Sequence, residues 1–451
     1  MTPPNSIHNP GILFLALTVF FCLKVVAIME FIPPEETVFQ LDSQFGPYTE
    51  SLITTGVYAD ASGPFIKKAS RMPVLPLCLS WLGRISKKSR DAAVVKCLVL
   101  TLLSALFLVW FEKVHRTMFP RSGAAWCILL PLALSPEVAR IAAMITPEES
   151  IVLELLFMWT LAFLMGLVAL ARGCRNHGTP LIALCQALGS GLYLLKSSMF
   201  LVFLTSLSLG ILWTVRHRNI KTVLFLVIPL MPILAWGLHT RLATGRFSIA
   251  TSWDGENAFR GLNSEAYELY PDVSLDQVFS NQRAHLRNGA AVDIQAPVPV
   301  FFKDEWAWND YFRDRSIAWL KAEPRLAFKF LCKKTENFYF SIEETPYAVF
   351  LDARGPRGDE AQRFYVGSWL IYGRLMQVCM VAFMLVLWAQ GGSCQRTLVA
   401  GVLAANAAYS APYLAIFNYE RHIVVYLVLV AVCVFMLLSL SLDPAGSEER
   451  K

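Results

Sequence analysis

The sequence predicts an all-α polytopic membrane protein of about ten transmembrane helices, with a polar domain looped out on one side. Two observations carry this reading. Of the 451 residues, 55% are hydrophobic and 16% charged, whereas soluble domains carry about 25% charged residues. Several apolar runs also reach the roughly 20 residues that a helix needs to cross a bilayer. A disordered, collagen-like or disulfide-stapled chain is excluded. The net charge of +6 is dispersed in short clusters between apolar runs, which suits a topology signal better than a nucleic-acid surface.

Ten runs qualify as spans: 11–29, 94–111, 122–145, 150–171, 180–195, 198–215, 222–240, 366–390, 397–415 and 422–441. The MTPPNSIHNP start has no Lys or Arg and no small-residue cleavage site follows, so 11–29 reads as a retained first span. An eleventh run, 73–86, is short and holds Pro73, Pro76 and Arg84, which favours an interfacial helix. Basic residues decide the count. With ten spans and an inner N-terminus, Lys113, Arg116, Arg121, Arg172, Arg175, Arg216, Arg218, Lys221 and Arg396 lie inside, against Arg140, Lys196 and Arg421 in the short outer turns. Counting 73–86 as a span reverses that bias.

Three regions follow. Residues 1–240 form an N-terminal transmembrane module of seven spans, including the outer loop 30–93. Residues 241–365 form an extracytoplasmic α+β or helical domain. Residues 366–451 supply the last three spans and a short tail. In the middle region, WNDYFRDRSIAWLKAEPRLAFKFLCKKTENFYF reads as two amphipathic helices broken at Glu323-Pro324. Six of the ten cysteines lie inside apolar runs, where Cys acts as a small hydrophobe, and no Cys/His metal spacing appears.

On this topology the unusual polar residues gather on the outer side: Asp42 and Arg71 in the first loop, Glu148 and Glu149 between spans three and four, Lys196 between spans five and six, Asp254 and Asn257 after span seven, and Arg421 opening span ten. Ionisable groups at a membrane edge are functional candidates by default. Glu154, inside span four, reads as an internally paired acid. Asp60, in a Gly-flanked loop, reads as solvated, and Trp236, Trp369, Tyr372 and Tyr419 read as an interfacial belt.

The same residues carry a family resemblance. LDSQFGPYTESLITTGVYADASGPFIKKASRMPVLPLCLSW, residues 41–81, resembles the first outer loop of GT-C glycosyltransferases, in the branch of the protein O-mannosyltransferases and the lipid A aminoarabinose transferase. That loop has an acid, then G-x-Y, then R-x-P-x-x-P, here Asp42, Gly56/Tyr58 and Arg71/Pro73/Pro76. ALSPEVARIAAMITPEESIVLELL is similar to the second acidic turn, LGSGLYLLKSSMF to a small-residue helix ending in a base, and PILAWGLHTRLATGRFSIATSWDGENAFRGLN to the exit from span seven. NYERHIVVYLV is similar to the late Arg-containing helix start. Three departures stand out: Ser43 follows Asp42 where a second acid is common, Lys196 stands where Arg is common, and His422 follows Arg421 where Tyr is common.

The resemblance implies inverting transfer of a sugar from a polyprenyl-phosphate carrier to a glycolipid, polysaccharide or protein acceptor at the periplasmic face of a bacterial inner membrane. A sugar hydroxyl needs a carboxylate to take its proton, a role that falls to Asp42. Lys196 and Arg421, with Arg71, would grip the lipid phosphate. Glu148 and Glu149 would orient the acceptor, or help Asp42 hold a divalent cation (Mg or Mn). No cofactor is otherwise required. Tyr58, Asp254 and Asn257 complete the substrate-binding candidates. The alternative is a transporter or flippase for a lipid-linked or anionic solute. Such a protein would place its polar groups near the midplane, often in two related halves.

Overall fold

The structure, a computed structural model, describes residues 10–32, 34, 36–38, 45–144, 148–217, 220–270, 283–285, 291–293, 302–340, 359–416 and 420–443. Among the described residues the regular structure is helical, apart from two three-residue antiparallel strands, β1 (Arg283–His285) and β2 (Ala291–Asp293).

Eight described helices are long and apolar enough to cross a membrane. They lie in α4 (Ser89–Met118), α7 (Glu149–Arg172), α8 (Arg175–Leu195), α9 (Phe200–His217), α10 (Ile220–Thr244), α15 (Asp359–Gln390), α16 (Ser393–Ala415) and α17 (Glu420–Leu442). A further apolar helix of 22 residues, α1 (Pro10–Phe31), opens the chain. Lipid is the natural solvent for their outer surfaces. Leu106, Val215, Val378 and Leu385 are each about two-thirds exposed, and a water-soluble protein rarely displays such bands. α7 and α17 are instead buried nearly all round, so they form the axis of the bundle.

The directions of these helices follow from contacts at their ends. At one end, Glu149 of α7 meets His422 of α17 and Lys196 just after α8. At the other end, Arg172 closing α7 donates to Met118 O closing α4, and His115 of α4 lies 3.0 Å from Ser439 of α17. α4, α7 and α17 therefore run in one direction and α8 in the other.

One expected element is different. The run 122–145 is not a single helix. It divides into a 3-10 segment (Gly123–Ile128), α5 (Leu130–Ala133) and α6 (Pro136–Ala143). Pro131 and Pro136 each lack an N–H and disfavour helix in the residue before them, so an apolar run of adequate length still breaks. The run nevertheless travels the length of α4. It leaves Phe119, whose carbonyl accepts from Ser122 N–H, and reaches Met144, whose carbonyl accepts from Lys96 Nζ. That is about 35 Å measured along α4.

The remaining described helices are α2 (Gly46–Thr54), α3 (Val74–Ile85), α11 (Asp254–Gly261), α12 (Ser264–Leu269), α13 (Glu305–Ala322) and α14 (Pro324–Phe340). The break expected at Glu323-Pro324 falls there: Glu323 caps α13 and Pro324 opens α14. Asp304 starts α13 by accepting from the N–H groups of Trp306 and Ala307.

Other expectations are corrected by packing. Asp60 is buried, not solvated: it accepts from the N–H and hydroxyl of Ser62 and pairs with Lys67 at 3.2 Å. Trp236 is buried against Tyr58 and His239, so it is not part of a lipid-facing belt; Tyr372 is half-buried and donates to Ile128 O. The Trp369 side chain and Tyr419 lie outside the described residues. Glu154 is internally paired as expected: it accepts from Lys24 Nζ of α1 at 2.5 Å and from Ser104 Oγ of α4 at 3.0 Å.

Candidate functional site

The end of the bundle that holds Glu149, Lys196 and His422 opens into a cavity of about 330 Å³. The segments around it are far apart in sequence, and each is placed by a local reason.

Residues 68–72 supply Arg71. This loop is fixed by Glu305, at the buried start of α13, whose carboxylate accepts from Lys68 N–H, Ala69 N–H and Ser252 Oγ. Ser252 N–H in turn donates to Ala69 O. One buried acid thus ties residues 68–69 to the residues that open α11. Tyr58 assists from behind, with its hydroxyl donating to Arg71 O at 2.9 Å and its ring 4.6 Å from Tyr48. Tyr58 therefore does not line the cavity; it supports the backbone of a residue that does. The Arg71 guanidinium lies over two rings, Trp253 at 4.9 Å and Phe45 at 5.4 Å.

Lys196 sits in extended conformation between α8 and the short 3-10 turn that leads to α9. Its ammonium bonds Glu149 Oε1 and stands 4.0 Å from Glu148 Oε2. His422 Nε2 lies 2.6 Å from the same Glu149 oxygen and 3.5 Å from Lys196 Nζ. The His422 ring stacks on Tyr413 of α16 at 4.0 Å, and its carbonyl accepts from Tyr409. A buried carboxylate needs charged or hydrogen-bonding partners, and Glu149, wholly buried, has two basic ones.

Asp254 opens α11 and points into the cavity, where it accepts from Ser197 Oγ at 2.8 Å and Thr251 N–H at 2.9 Å. Asn257 and Arg260 follow on the same helix, and Arg260 pairs with Glu256 at 2.5 Å. Burial pushes the Asp254 carboxyl above the ordinary range, against the pull of these hydrogen bonds. Burial also raises Glu148, with Lys196 opposing it and Glu149 adding to it.

Of the candidates named from sequence, Arg71, Glu148, Lys196, Asp254 and Asn257 line this one cavity, and Glu149 bonds Lys196 from beneath. Arg421 lies in the first turn of α17, one residue before His422, and its side chain is outside the described set. Asp42 is outside the described residues; Phe45, three residues later in the chain, is one of the two rings under Arg71. His422, Tyr413 and Arg260 are cavity residues that sequence reading did not assign. The only signal for them was local: His422 beside Arg421, and Arg260 one helical turn past Glu256. Among the described residues no group of three or more His, Cys, Asp or Glu side chains is placed to hold a metal ion.

A second cavity, about 270 Å³, lies between α1, α4, the broken run and α7. It is apolar apart from Glu154, Glu112, Thr101 and Ser104, and shares no lining residue with the first.

Chemically, the first cavity offers Arg71, Lys196 and Arg260 as cations, with two carboxyls whose ionisation burial disfavours. That balance suits an anionic group. Comparisons with protein-family models, with curated proteins and with solved structures find no match to the chain.

Proposed function

We propose that the protein is a GT-C-type glycosyltransferase that moves a sugar from a polyprenyl-phosphate carrier to an acceptor hydroxyl at the periplasmic face of an inner membrane. The observation that carries this reading is the convergence of Arg71, Glu148, Lys196, Asp254 and Asn257 on one cavity at one end of the apolar helices. The ten-span topology belongs to the proposal, with the proline-broken run as the third crossing. It is supported by the parallel course of α4 and α7, which a return crossing between them accounts for, and by the gathering of these residues at a single end.

In this reading the lipid phosphate enters between Arg71, Lys196 and Arg260, with Arg421 added from α17. Charge grows on the phosphate as its bond to the sugar breaks, and fixed cations in a partly dry cavity stabilise it. Asp42 takes the proton of the acceptor hydroxyl as that oxygen attacks the anomeric carbon from the opposite face, which inverts the configuration. Glu149 holds Lys196 and His422 in place, and Glu148 and Asn257 hydrogen-bond the acceptor or the sugar. A transporter would need its polar groups near mid-helix. The buried ion pair between α1 and α7, Lys24–Glu154, is closed on itself with Ser104 and Thr101.

The test is to supply purified protein in nanodiscs with polyprenyl-phosphate sugars and candidate acceptors. Release of lipid phosphate with a glycosylated acceptor is expected; translocation of intact lipid-linked sugar without cleavage would replace this reading by the transporter.

A further inference from the structure

The cavity has two walls from different parts of the chain. One is α11, which carries Asp254, Asn257 and Arg260; the other is the end of α16, with Tyr413 and Ile416 just beyond it. Lys334 of α14 stands where these walls meet. It is 1% exposed, and its ammonium donates to Gly261 O at 3.2 Å, Ala415 O at 3.1 Å and Ile416 O at 3.0 Å. Gly261 ends α11, and Ala415 and Ile416 end α16.

Carbonyls at a helix C-terminus have no partner within the helix, and the helix dipole favours a cation there. Here two such ends share one ammonium, whose three donors match three acceptors. Phe330, one turn earlier on α14, covers the ammonium with its ring centre 4.4 Å away. The approach of the two ends is close. A Cβ on Gly261 would overlap Ile416 O, so only glycine lets α11 finish there. A lysine retained merely for packing would need no such set of acceptors, and burying an ammonium is costly without them.

We propose that Lys334 is a positioning residue for the cavity: it bolts the C-terminal end of α11 to that of α16 and so sets the gap between Arg260 and Tyr413 in which an anionic group is held. Lys334 touches no substrate and acts through the two helix ends. Its role in ligand binding rests on the proposed function; the bolt itself does not.

Two readouts separate these. Spin labels on cysteines placed at the exposed positions Ser264, just after α11, and Leu403, on α16, report the separation of the walls by electron–electron resonance, in a chain whose native cysteines are replaced. Transfer kinetics report KM and kcat. Lys334→Met should widen the distance distribution and raise the donor KM about tenfold while kcat changes by less than about twofold. Lys334→Gln keeps two N–H donors and should fall between wild type and Lys334→Met. Gly261→Ala spreads the same helix ends with Lys334 in place and should reproduce both effects. An unchanged distance distribution in folded Lys334→Met overturns the bolt, and Lys334→Gln decides if the Met variant does not fold. A widened distribution with unchanged KM overturns the positioning role. If wild-type protein transfers no sugar, the proposed function falls, and the label distances alone still uphold or overturn the bolt.

Discussion

His422 Nε2 and Glu149 Oε1 stand 2.6 Å apart although 273 positions separate them in the chain. Lys196 bonds the same oxygen, so one buried carboxylate gathers basic groups from two other segments. This arrangement prevents Lys196 from folding away, but it also makes Lys196 part of the scaffold.

A double substitution separates the two roles. Lys196→Ala should weaken donor binding by about 1.5–3 kcal/mol and also lower the thermal midpoint, because it strips a buried acid of a partner. Adding Glu149→Gln should restore the midpoint and leave donor binding weak. Lys196→Arg should retain more binding than Lys196→Ala, since a guanidinium keeps the charge. Unchanged donor affinity in Lys196→Ala, measured by titration calorimetry, would remove it from the phosphate site.

Asp42→Asn keeps size and one acceptor but cannot take a proton. It should lower kcat by about 10²–10⁴ while lipid-donor affinity stays near wild type. Asp60→Asn should leave kcat nearly unchanged and cost stability instead, because Asp60 is buried against Lys67 and Ser62. If Asp42→Asn turns over normally and Glu148→Gln is inactive, the base belongs to the turn before α7.

The raised Asp254 and Glu148 carboxyls give a pH dependence of definite sign. Their folded values lie above the ordinary 3.8 and 4.5, so the folded chain retains protons that the unfolded chain has released. The stability they contribute is full below those ordinary values and is lost as pH rises through the raised ones. Protonation also removes negative charge from the cavity, so lipid-phosphate binding should tighten as pH falls through the same window. Asp254→Asn should flatten part of that slope. Wild-type slopes in both Asp254→Asn and Glu148→Gln would show that neither group titrates there.

The Lys24–Glu154 pair ties α1 to α7 five residues below Glu149. Lys24→Met alone should destabilise the protein by about 3–5 kcal/mol, since it strands a buried carboxylate. Lys24→Met with Glu154→Leu should recover most of that loss, because a well-packed apolar pair replaces a buried ion pair at little cost. Thermal unfolding in detergent gives both values. Equal loss in the single and double variants would mean that the pair does more than hold α1 to α7.

Orientation is tested at Lys87 and Lys113, both exposed, which the proposed topology puts on opposite faces. Cysteine at 87 should react with an impermeant reagent in intact cells, and cysteine at 113 only after lysis. The reverse pattern would place the cavity on the cytoplasmic side.

Long-range order was readable from sequence where one physical rule dominates. Hydropathy located the long helices, and the missing N–H of Pro324 divided α13 from α14. Charge at the ends of apolar runs singled out Arg71, Glu148, Lys196, Asp254 and Asn257, because little else explains their position. The failures arise where rules compete. Residues 122–145 are apolar enough for a helix, but Pro131 and Pro136 outweigh composition. Asp60 sits among glycines and small residues, the usual setting of a solvated loop, yet Lys67 folds over it and Trp253 covers Lys67. His422 and Arg260 carry only a weak local signal, a charged neighbour one residue or one helical turn away. Their significance comes from what lies opposite, Glu149 and the cavity, and sequence order does not bring these together.

The broken run bears on how the chain is built. In hydrocarbon every backbone N–H and C=O must find a partner within the protein, and a proline-interrupted segment leaves some of its groups without helical ones. Lys96 already supplies one by bonding Met144 O, and Cys97 approaches Ala142 O at 3.7 Å. Residues 123–144 should thus be a poor stop-transfer sequence by themselves and enter the bilayer only beside α4, with α1 on the other flank. Assembly would then have an order: the first two long helices form a template, and the third crossing is laid into it.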